Sequence, residues 1–141
     1  MTVIAFDGET LAGDRQTTHE GTPSSTRKVF KIRGLDGGRF LIGCAGDTGD
    51  CVQYRRWATG SLKETPALTD IVVISIDEKK RIWCATQKMH WYQIGIKFWA
   101  VGSGANYALG AMAAGKTARQ AVAIAMKLDV YCGLGIDAVR F

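Results

Sequence analysis

The chain has 141 residues, of which 47% are hydrophobic and 22% are charged. These proportions are ordinary for one globular domain over residues 1–141, and charged residues interrupt the apolar runs too often for a membrane span. The formal net charge of +5 comes from scattered lysines and arginines, which predicts a solvated surface with no nucleic-acid groove. Asp7 and Glu9 interrupt the start of the chain, so we expect no signal peptide and a cytoplasmic location.

Most of the predicted strands are joined to a neighbouring strand by a short turn. Asp7-Gly8-Glu9 predicts a tight turn between the first two strands, and the glycine-rich loop 34–38 predicts an antiparallel hairpin. A last strand is predicted near the carboxyl end. The strands predicted before that last one are 2–6, 10–18, 28–33, 39–44, 71–76, 81–85 and 98–101.

Capping residues and apolar spacing predict three helices. Asp47 or Thr48 caps the first helix, which ends at Gly60. Asn106 caps a second helix of small residues, and the capping box Thr117-Ala118-Arg119-Gln120 starts the third. The positions expected to face inward include Val52, Trp57, Ala58, Val122, Ile124, Ala125 and Leu128.

The string from Gly110 to Thr117 satisfies the phosphate-loop pattern GxxxxGK[ST]. A phosphate loop leaves a strand directly, whereas residues 102–109 separate this string from the preceding strand. The short remainder of the chain also cannot supply a nucleotide-binding core. We therefore interpret the string as the end of one helix, a glycine stop and the capped start of the next helix.

The four cysteines show no paired spacing typical of a zinc site, and the two histidines stand alone. We expect no metal and no other cofactor. Each cysteine lies among apolar residues or on a helix face, which predicts buried, reduced thiols at Cys44, Cys51, Cys84 and Cys132.

Six short motifs follow one another along nearly the whole chain. They are Thr2-Val3-Ile4, Ala12-Gly13-Asp14, Arg27-Lys28-Val29, Gly43 to Asp50, Gly102 to Ala108 and Asp129 to Gly133. In this order they resemble the proteasome β-subunit and bacterial HslV-type peptidase family. The resemblance implies an α+β protein with a four-layer αββα sandwich, in which two antiparallel sheets lie between helix layers, as in N-terminal nucleophile hydrolases.

The same resemblance implies how the protein assembles and what it acts on. Subunits would associate into rings and cleave unfolded polypeptides, and an unfoldase ATPase stays open as a partner. Residues 61–70 are too few for the second long helix that relatives carry between the first helix and the next strand. This predicts a shortened subunit and leaves the ring size open.

Thr2 would carry a free α-amine and a hydroxyl on the same residue once Met1 is removed, which gives a nucleophile with its own base. The resemblance makes Thr2 the nucleophile of a threonine peptidase. Lys28 would favour the unprotonated amine by like-charge repulsion, and Asp14 would hold Lys28 in place. Without the resemblance, Asp14 and Lys28 would be interpreted as an ordinary ion pair.

The resemblance also supplies the groups around the reacting carbonyl. The backbone N–H of Gly46 would stabilise the oxyanion, and Ser103 with Asp129 would order the terminal amine and a water. The pocket for the residue before the cleaved bond would be small and apolar, which predicts an apolar substrate side chain. Its lining would be Thr17, Phe30, Cys44, Thr48 and Val52.

Two alternative functions stay open at this point. A catalytically silent assembly protein would keep the fold without the activity, and retention of Met1 would favour it because Thr2 would then lack a free amine. A small-molecule amidohydrolase of the same superfamily would hydrolyse simple amides and leave unfolded proteins intact.

Overall fold

The computed structural model describes residues 2–141, which fold into a mixed α+β structure, as the sequence predicts. The strands are β1 (Ile4–Phe6), β2 (Leu11–Asp14), β3 (Gln16–His19), β4 (Thr22–Ser25), β5 (Val29–Arg33), β6 (Arg39–Gly46), β7 (Ile71–Ile76), β8 (Ile82–Thr86), β9 (Tyr92–Ile94), β10 (Trp99–Val101) and β11 (Ile136–Val139). The helices are α1 (Thr48–Ala58), α2 (Ala105–Ala113) and α3 (Ala118–Leu128).

The strands within these residues form two larger antiparallel sheets and one separate hairpin. The first sheet has the order β10-β1-β2-β11, and the second has the order β5-β6-β7-β8-β9. The predicted hairpin at loop 34–38 is confirmed, because β5 pairs with β6 from Val29 opposite Gly43 to Arg33 opposite Arg39. β7 and β8 also pair as antiparallel neighbours. The separate hairpin consists of β3 and β4.

The prediction of one strand over 10–18 is wrong, because the strand divides at Arg15. β2 stays in the first sheet, whereas β3 leaves it to pair with β4. The side chain of Asp14 accepts the N–H of Gln16 at 3.1 Å, a local bond that replaces a bond of the sheet ladder and redirects the chain.

Three hydrophobic clusters hold these layers together. In β1 the side chains alternate, so Ala5 packs towards α2 and α3 while Ile4 and Phe6 pack towards the second sheet. Small residues on α2 and α3 let both helices lie close to the first sheet. The third cluster joins the second sheet to α1 through Tyr54 and Trp57.

The helix caps agree with the sequence at two of the three starts. Asp47 caps α1 by accepting the N–H of Asp50 at 2.9 Å, and Thr117 forms the predicted capping box with Gln120. The expectation for α2 is wrong, because that helix begins one residue before Asn106 and has no side-chain cap.

Two residues expected to face inward lie on the outside of their helices. Val52 is 42% exposed and Leu128 is 58% exposed. In α1 the buried position is Tyr54 instead, and in α3 the alanines at 118, 121 and 125 face the sheet with Val122.

The string from Gly110 to Thr117 runs from α2 to the N-cap of α3 and follows a helix instead of a strand. Gly115 has a φ of +92°, which ends the helical segment. No helix within residues 2–141 is both long and apolar enough to cross a membrane.

Candidate active site

Thr2 lies immediately before β1 and is only 4% exposed. The side chain of Lys28, which precedes β5, donates to Thr2 Oγ1 at 2.6 Å and to Asp14 Oδ1 at 2.9 Å. Lys28 also donates to the backbone carbonyl of Gln16. Three acceptors therefore surround the three N–H groups of one ammonium, which fixes the lysine against the threonine hydroxyl.

Asp14 is fully buried and connects four segments of the chain. Besides Lys28, its carboxylate accepts the backbone N–H groups of Val3 at 3.0 Å, Gln16 at 3.1 Å and Gly133 at 3.0 Å. These bonds satisfy both carboxylate oxygens, so the negative charge is compensated without water.

Burial shapes the acidity of the lysine. Removal from water lowers the pKa of Lys28, and the nearby charge of Asp14 opposes this effect without outweighing it. Lys28 therefore releases a proton more readily than an exposed lysine does, while its contacts keep Nζ beside Thr2 Oγ1.

A second pair of side chains approaches Thr2 from the other side. Ser103 Oγ accepts the Thr2 N–H at 3.1 Å and donates to Asp129 Oδ2 at 2.7 Å. Burial raises the pKa of Asp129, but the hydrogen bonds from Ser103 and from the Tyr131 N–H outweigh it, so the pKa is lowered overall. Asp129 is therefore a carboxylate that holds the serine hydroxyl in one orientation.

Two glycines bring the backbone close to the site. Gly46, just before α1, has a φ of +117°, and a Cβ there would lie 2.2 Å from the carbonyl oxygen of Asp70. Gly102 has a φ of +98°, and a Cβ there would lie 2.1 Å from the Thr2 carbonyl oxygen. Gly104 donates its N–H to the same Thr2 oxygen at 3.0 Å. Gly102 and Gly104 belong to a motif that the sequence showed, but of the three glycines only Gly46 had been given a role.

One pocket of about 580 Å³ opens beside Thr2. Gly46 lines this pocket together with Thr2, whereas Asp14 lies behind Thr2 and Lys28. The pocket also contains all five residues that the resemblance placed there, namely Thr17, Phe30, Cys44, Thr48 and Val52.

The expectation of four reduced cysteines is wrong for two of them. Cys44 on β6 and Cys51 on α1 form a disulfide in the pocket wall, and their Cα atoms are 5.7 Å apart. α1 folds back along β6 and brings the two residues together, which their spacing in the sequence does not reveal. Cys84 and Cys132 are free and buried, as predicted, and burial raises their pKa values to about 11 and about 12.

The pocket also has charged lining residues that the sequence analysis did not include. The guanidinium carbons of Arg55 and Arg27 lie 4.1 Å and 5.4 Å from the centroid of the Phe30 ring. Arg55 follows Cys51 by four residues and Val52 by three, so the helical period could have placed it on the same face of α1. The other charged or titratable lining residues are His19, Lys28, Asp47, Tyr54 and Asp70.

A second pocket of about 420 Å³ lies over the outer face of the second sheet, apart from Thr2. It is lined mainly by apolar and aromatic side chains, among them Trp57, Trp83 and Trp91. Within residues 2–141, no group of three or more His, Cys, Asp or Glu side chains is placed to hold a metal ion.

Solved structures share this fold. BPH from Thiobacillus denitrificans, in complex with epoxomicin, aligns with a TM-score of 0.74 at 22% identity, covering 100% of this chain and 98% of that chain. The Gly-1 mutant of Anbu from Hyphomicrobium sp. strain MC1 aligns with a TM-score of 0.76 at 11% identity, covering 100% and 81%. Anbu from Yersinia bercovieri, described as an ancestral beta-subunit, gives 0.69 at 10% identity, covering 100% and 81%. No protein-family model and no curated protein matches the chain.

These comparisons overturn the assignment to the proteasome β-subunit and HslV-type peptidase family. The solved structures to which the chain is similar are BPH and Anbu, and their identities of 22% and 11% establish a common fold alone. The chain also spans 98% of the BPH chain, so it is not short relative to that structure.

Proposed function

We propose that this protein is a threonine-type peptidase with Thr2 as its nucleophile. The observation that carries the proposal is the contact of 2.6 Å between Lys28 Nζ and Thr2 Oγ1, at the edge of a pocket large enough for a side chain. A lysine with lowered pKa against a nearly buried hydroxyl, next to a pocket, is a common arrangement at catalytic sites.

The proposal includes the layered fold of the N-terminal nucleophile hydrolases and a single domain over residues 1–141. Its support comes from the order of the packing clusters, which follow one another from α2 and α3 through the first sheet and the second sheet to α1. We interpret this order as an αββα sandwich whose last layer is reduced to one helix.

The reaction requires cleavage of the peptide bond before Thr2. With that bond intact, the Thr2 nitrogen is an amide that donates to Ser103 and cannot act as a base. Once freed, the α-amine takes the proton of Oγ1 as the oxygen attacks the substrate carbonyl. The amine then gives this proton to the leaving nitrogen as the C–N bond breaks, and a water hydrolyses the remaining ester and restores the Thr2 hydroxyl.

The surrounding groups have separate roles in this scheme. Lys28 positions Oγ1 and disfavours protonation of the nearby α-amine through its positive charge. The backbone N–H of Gly46 would stabilise the oxyanion, and only glycine keeps the backbone in this position because a Cβ there would clash with the Asp70 carbonyl. Ser103 and Asp129 orient the Thr2 nitrogen.

BPH, which shares the fold, has been solved in complex with epoxomicin, and we therefore choose an epoxyketone peptide as the probe. An epoxyketone has two electrophilic carbons, so the hydroxyl and the free amine of one threonine can both attack it. A chain that begins at Thr2 is expected to gain the mass of one probe molecule on Thr2 and to cleave unfolded polypeptides.

Two controls make this experiment decisive. Thr2→Ala is expected to abolish the adduct and the cleavage, and a chain that retains Met1 is expected to do the same because it has no free amine. Absence of both adduct and cleavage in the Thr2 form would reject the peptidase and favour a silent assembly protein. Hydrolysis of simple amides alone would favour the amidohydrolase.

We also propose that copies of this chain associate with one another. Leu128, Val130, Tyr131 and Leu134 are 58%, 81%, 47% and 52% exposed and lie close together in sequence beside Asp129. Four large apolar side chains in one short segment are more than scattered surface exposure explains. Anbu from Yersinia bercovieri, described as a beta-subunit, supports a second copy as the occupant of this segment.

Native mass spectrometry tests the association. Val130→Asp is expected to shift the protein towards smaller assemblies, whereas Leu35→Asp, at a position that is 79% exposed outside the segment, should leave the assembly unchanged. A monomeric wild-type chain at micromolar concentration would contradict the association. Ring formation and an unfoldase ATPase stay predictions.

A further inference from the structure

Positive charge is concentrated in the pocket beside Thr2. Six residues of α1 line this pocket, and four of them, Thr48, Cys51, Val52 and Arg55, follow the helical spacing i, i+3, i+4 and i+7. The disulfide between Cys51 and Cys44 ties this face of α1 to β6. Arg55, one turn further along α1, is half-buried and lies 4.1 Å from the Phe30 ring centroid. Its guanidinium is therefore held at the pocket wall by the helix and by the aromatic ring.

A second guanidinium approaches the same ring from another segment. Arg27 donates its Nε–H to the carbonyl of Val29 at 3.0 Å, which directs its guanidinium carbon to 5.4 Å from the Phe30 centroid. Two cations thus gather around one aromatic ring in the pocket. The ring attracts both of them, but neither cation removes the charge of the other.

No carboxylate within residues 2–141 forms an ion pair with Arg27 or Arg55. Lys28 in the same pocket is balanced by Asp14. Of the acidic residues that line the pocket, Asp47 is engaged as the cap of α1, and Asp70 lies before β7 and is joined to Asp47 through its backbone carbonyl. The end of the pocket around Phe30 is therefore left with unbalanced positive charge.

A simpler explanation is that these arginines stabilise the carboxyl end of α1. Arg55 and Arg56 both lie in its last turn, where positive charge is favourable for the helix dipole. That explanation treats both residues alike. Only Arg55 lines the pocket, whereas Arg56 is exposed outside it, and the dipole does not account for Arg27.

We infer that the peptidase proposed above prefers substrates with an acidic side chain, glutamate or aspartate, immediately before the cleaved bond. A carboxylate at that position would reach the two guanidiniums while its carbonyl carbon lies at Thr2. Charge-assisted hydrogen bonds from a guanidinium fork suit a carboxylate in both geometry and charge. This inference rests on the proposed function, and it replaces the apolar preference expected from the sequence.

Three peptide amides that differ only in the residue before the cleaved bond test the inference. With a chain that begins at Thr2, kcat/KM for the glutamate peptide is expected to exceed that for the isosteric glutamine peptide by about 10-fold, and that for the leucine peptide by at least as much. The preference should fall as the salt concentration rises, because the pocket is open to solvent.

Matched substitutions in α1 distinguish an effect of charge in the pocket from an effect of charge on the helix. Arg55→Gln is expected to lower kcat/KM for the glutamate peptide by about 10-fold and so to remove most of its advantage over the glutamine peptide. Arg56→Gln removes the same charge one residue later and should retain the full preference. Arg55→Glu should turn the preference towards a lysine peptide. Arg27→Gln, in another segment, repeats the test if an Arg55 variant melts at a lower temperature than Arg56→Gln.

The outcomes distinguish this inference from the proposed function. Equal or faster cleavage of the glutamine or leucine peptide, with the epoxyketone adduct present on Thr2, overturns the acidic preference and leaves the peptidase intact. An equal loss in Arg55→Gln and Arg56→Gln also overturns it, since a helix effect would then suffice. Absence of both adduct and cleavage overturns the function and the preference together.

Discussion

Thr2 is contacted from two sides by two pairs of side chains that differ in burial. On one side, Lys28 is 8% exposed and Asp14 is fully buried. On the other side, Ser103 is exposed on the loop before α2, and Asp129 is half-buried at the carboxyl end of α3. Both pairs reach Thr2 through one hydrogen bond, but only the first is enclosed by the fold.

This difference indicates which part of the site depends on folding and which depends on local order. Asp14 accepts four hydrogen bonds from four segments, so its position is fixed once β1, β2, β5 and the segment before β11 are assembled. Asp129 accepts from Ser103 and from its near neighbours Tyr131 and Cys132, and it lies next to the exposed apolar segment at 130–134. We therefore expect the first pair to govern stability and chemistry, and the second to modulate the rate.

The largest expected effect is the loss of activity in Lys28→Met. If Thr2 is the nucleophile as proposed, removing the group that positions its hydroxyl is expected to lower kcat/KM by about 1,000-fold. The control Lys127→Met, on the exposed face of α3, should retain full activity. Steady-state cleavage of one peptide amide measures both variants, and a loss below 10-fold in Lys28→Met would contradict the role of this pair.

The next largest effect is on the free energy of unfolding, and it distinguishes Asp14 from Asp129. Asp14→Asn is expected to lower the free energy of unfolding by about 3 kcal/mol, because it leaves the Lys28 ammonium buried without its counter-charge. Asp129→Asn should lower it by less than about 1 kcal/mol, since its surroundings are partly open to water. Urea denaturation of both variants gives these values. Equal losses of stability in Asp14→Asn and Asp129→Asn would show that the Lys28–Asp14 pair is no more enclosed than the Ser103–Asp129 pair.

A smaller effect on activity is expected for Asp129→Asn. The asparagine keeps the size of the side chain but holds the Ser103 hydroxyl less strongly, so we expect kcat to fall by about 10-fold with little change in KM. Ser103→Ala should give a similar loss, because both changes act through the same hydrogen bond to the Thr2 nitrogen. Additive losses in the double variant would show that the two residues act separately.

The smallest effect is a pH dependence of stability that arises from Lys28. Burial lowers the pKa of Lys28 in the folded state below the ordinary value of 10.5. Between the lowered pKa and 10.5, Lys28 is therefore protonated more often in the unfolded chain than in the folded one. This group therefore makes stability rise with pH there, by about 1.4 kcal/mol per pH unit at most. The rise should be present in wild type and absent in Lys28→Met, as measured by urea denaturation between pH 8 and the ordinary pKa. A difference in stability between wild type and Lys28→Met that stays constant with pH would contradict the lowered pKa of Lys28.

Local sequence signals predicted much of the fold. The glycine-rich loop at 34–38 placed the β5–β6 hairpin, and the Thr117 capping box placed the start of α3, because hydrogen bonds between near neighbours decide both. The division of the chain at Arg15 was missed, since it depends on where the buried Asp14 finds its donors. Asn106 failed as a cap because the contact between Gly104 and the Thr2 carbonyl sets the start of α2.

The candidate site was predictable only in part. Thr2, Asp14 and Lys28 were named from the sequence through a resemblance whose family assignment proved wrong, and the structure nevertheless brings the three together. Arg27 and Arg55 were not named, because they belong to no motif and lie on separate segments. Their common feature is the Phe30 ring, which only the assembled fold places between them.

The sequence by itself determined that successive side chains of β1 point to opposite faces of the sheet, that the chain turns at its glycine-rich loops, and that α3 has a capped start. These features depend on backbone geometry and on bonds between residues close in the chain. Only the tertiary structure decided the Cys44–Cys51 disulfide, the four donors around Asp14 and the two arginines around Phe30. Each of these requires that distant segments pack against one another, and the free energy of burying the common core fixes that packing.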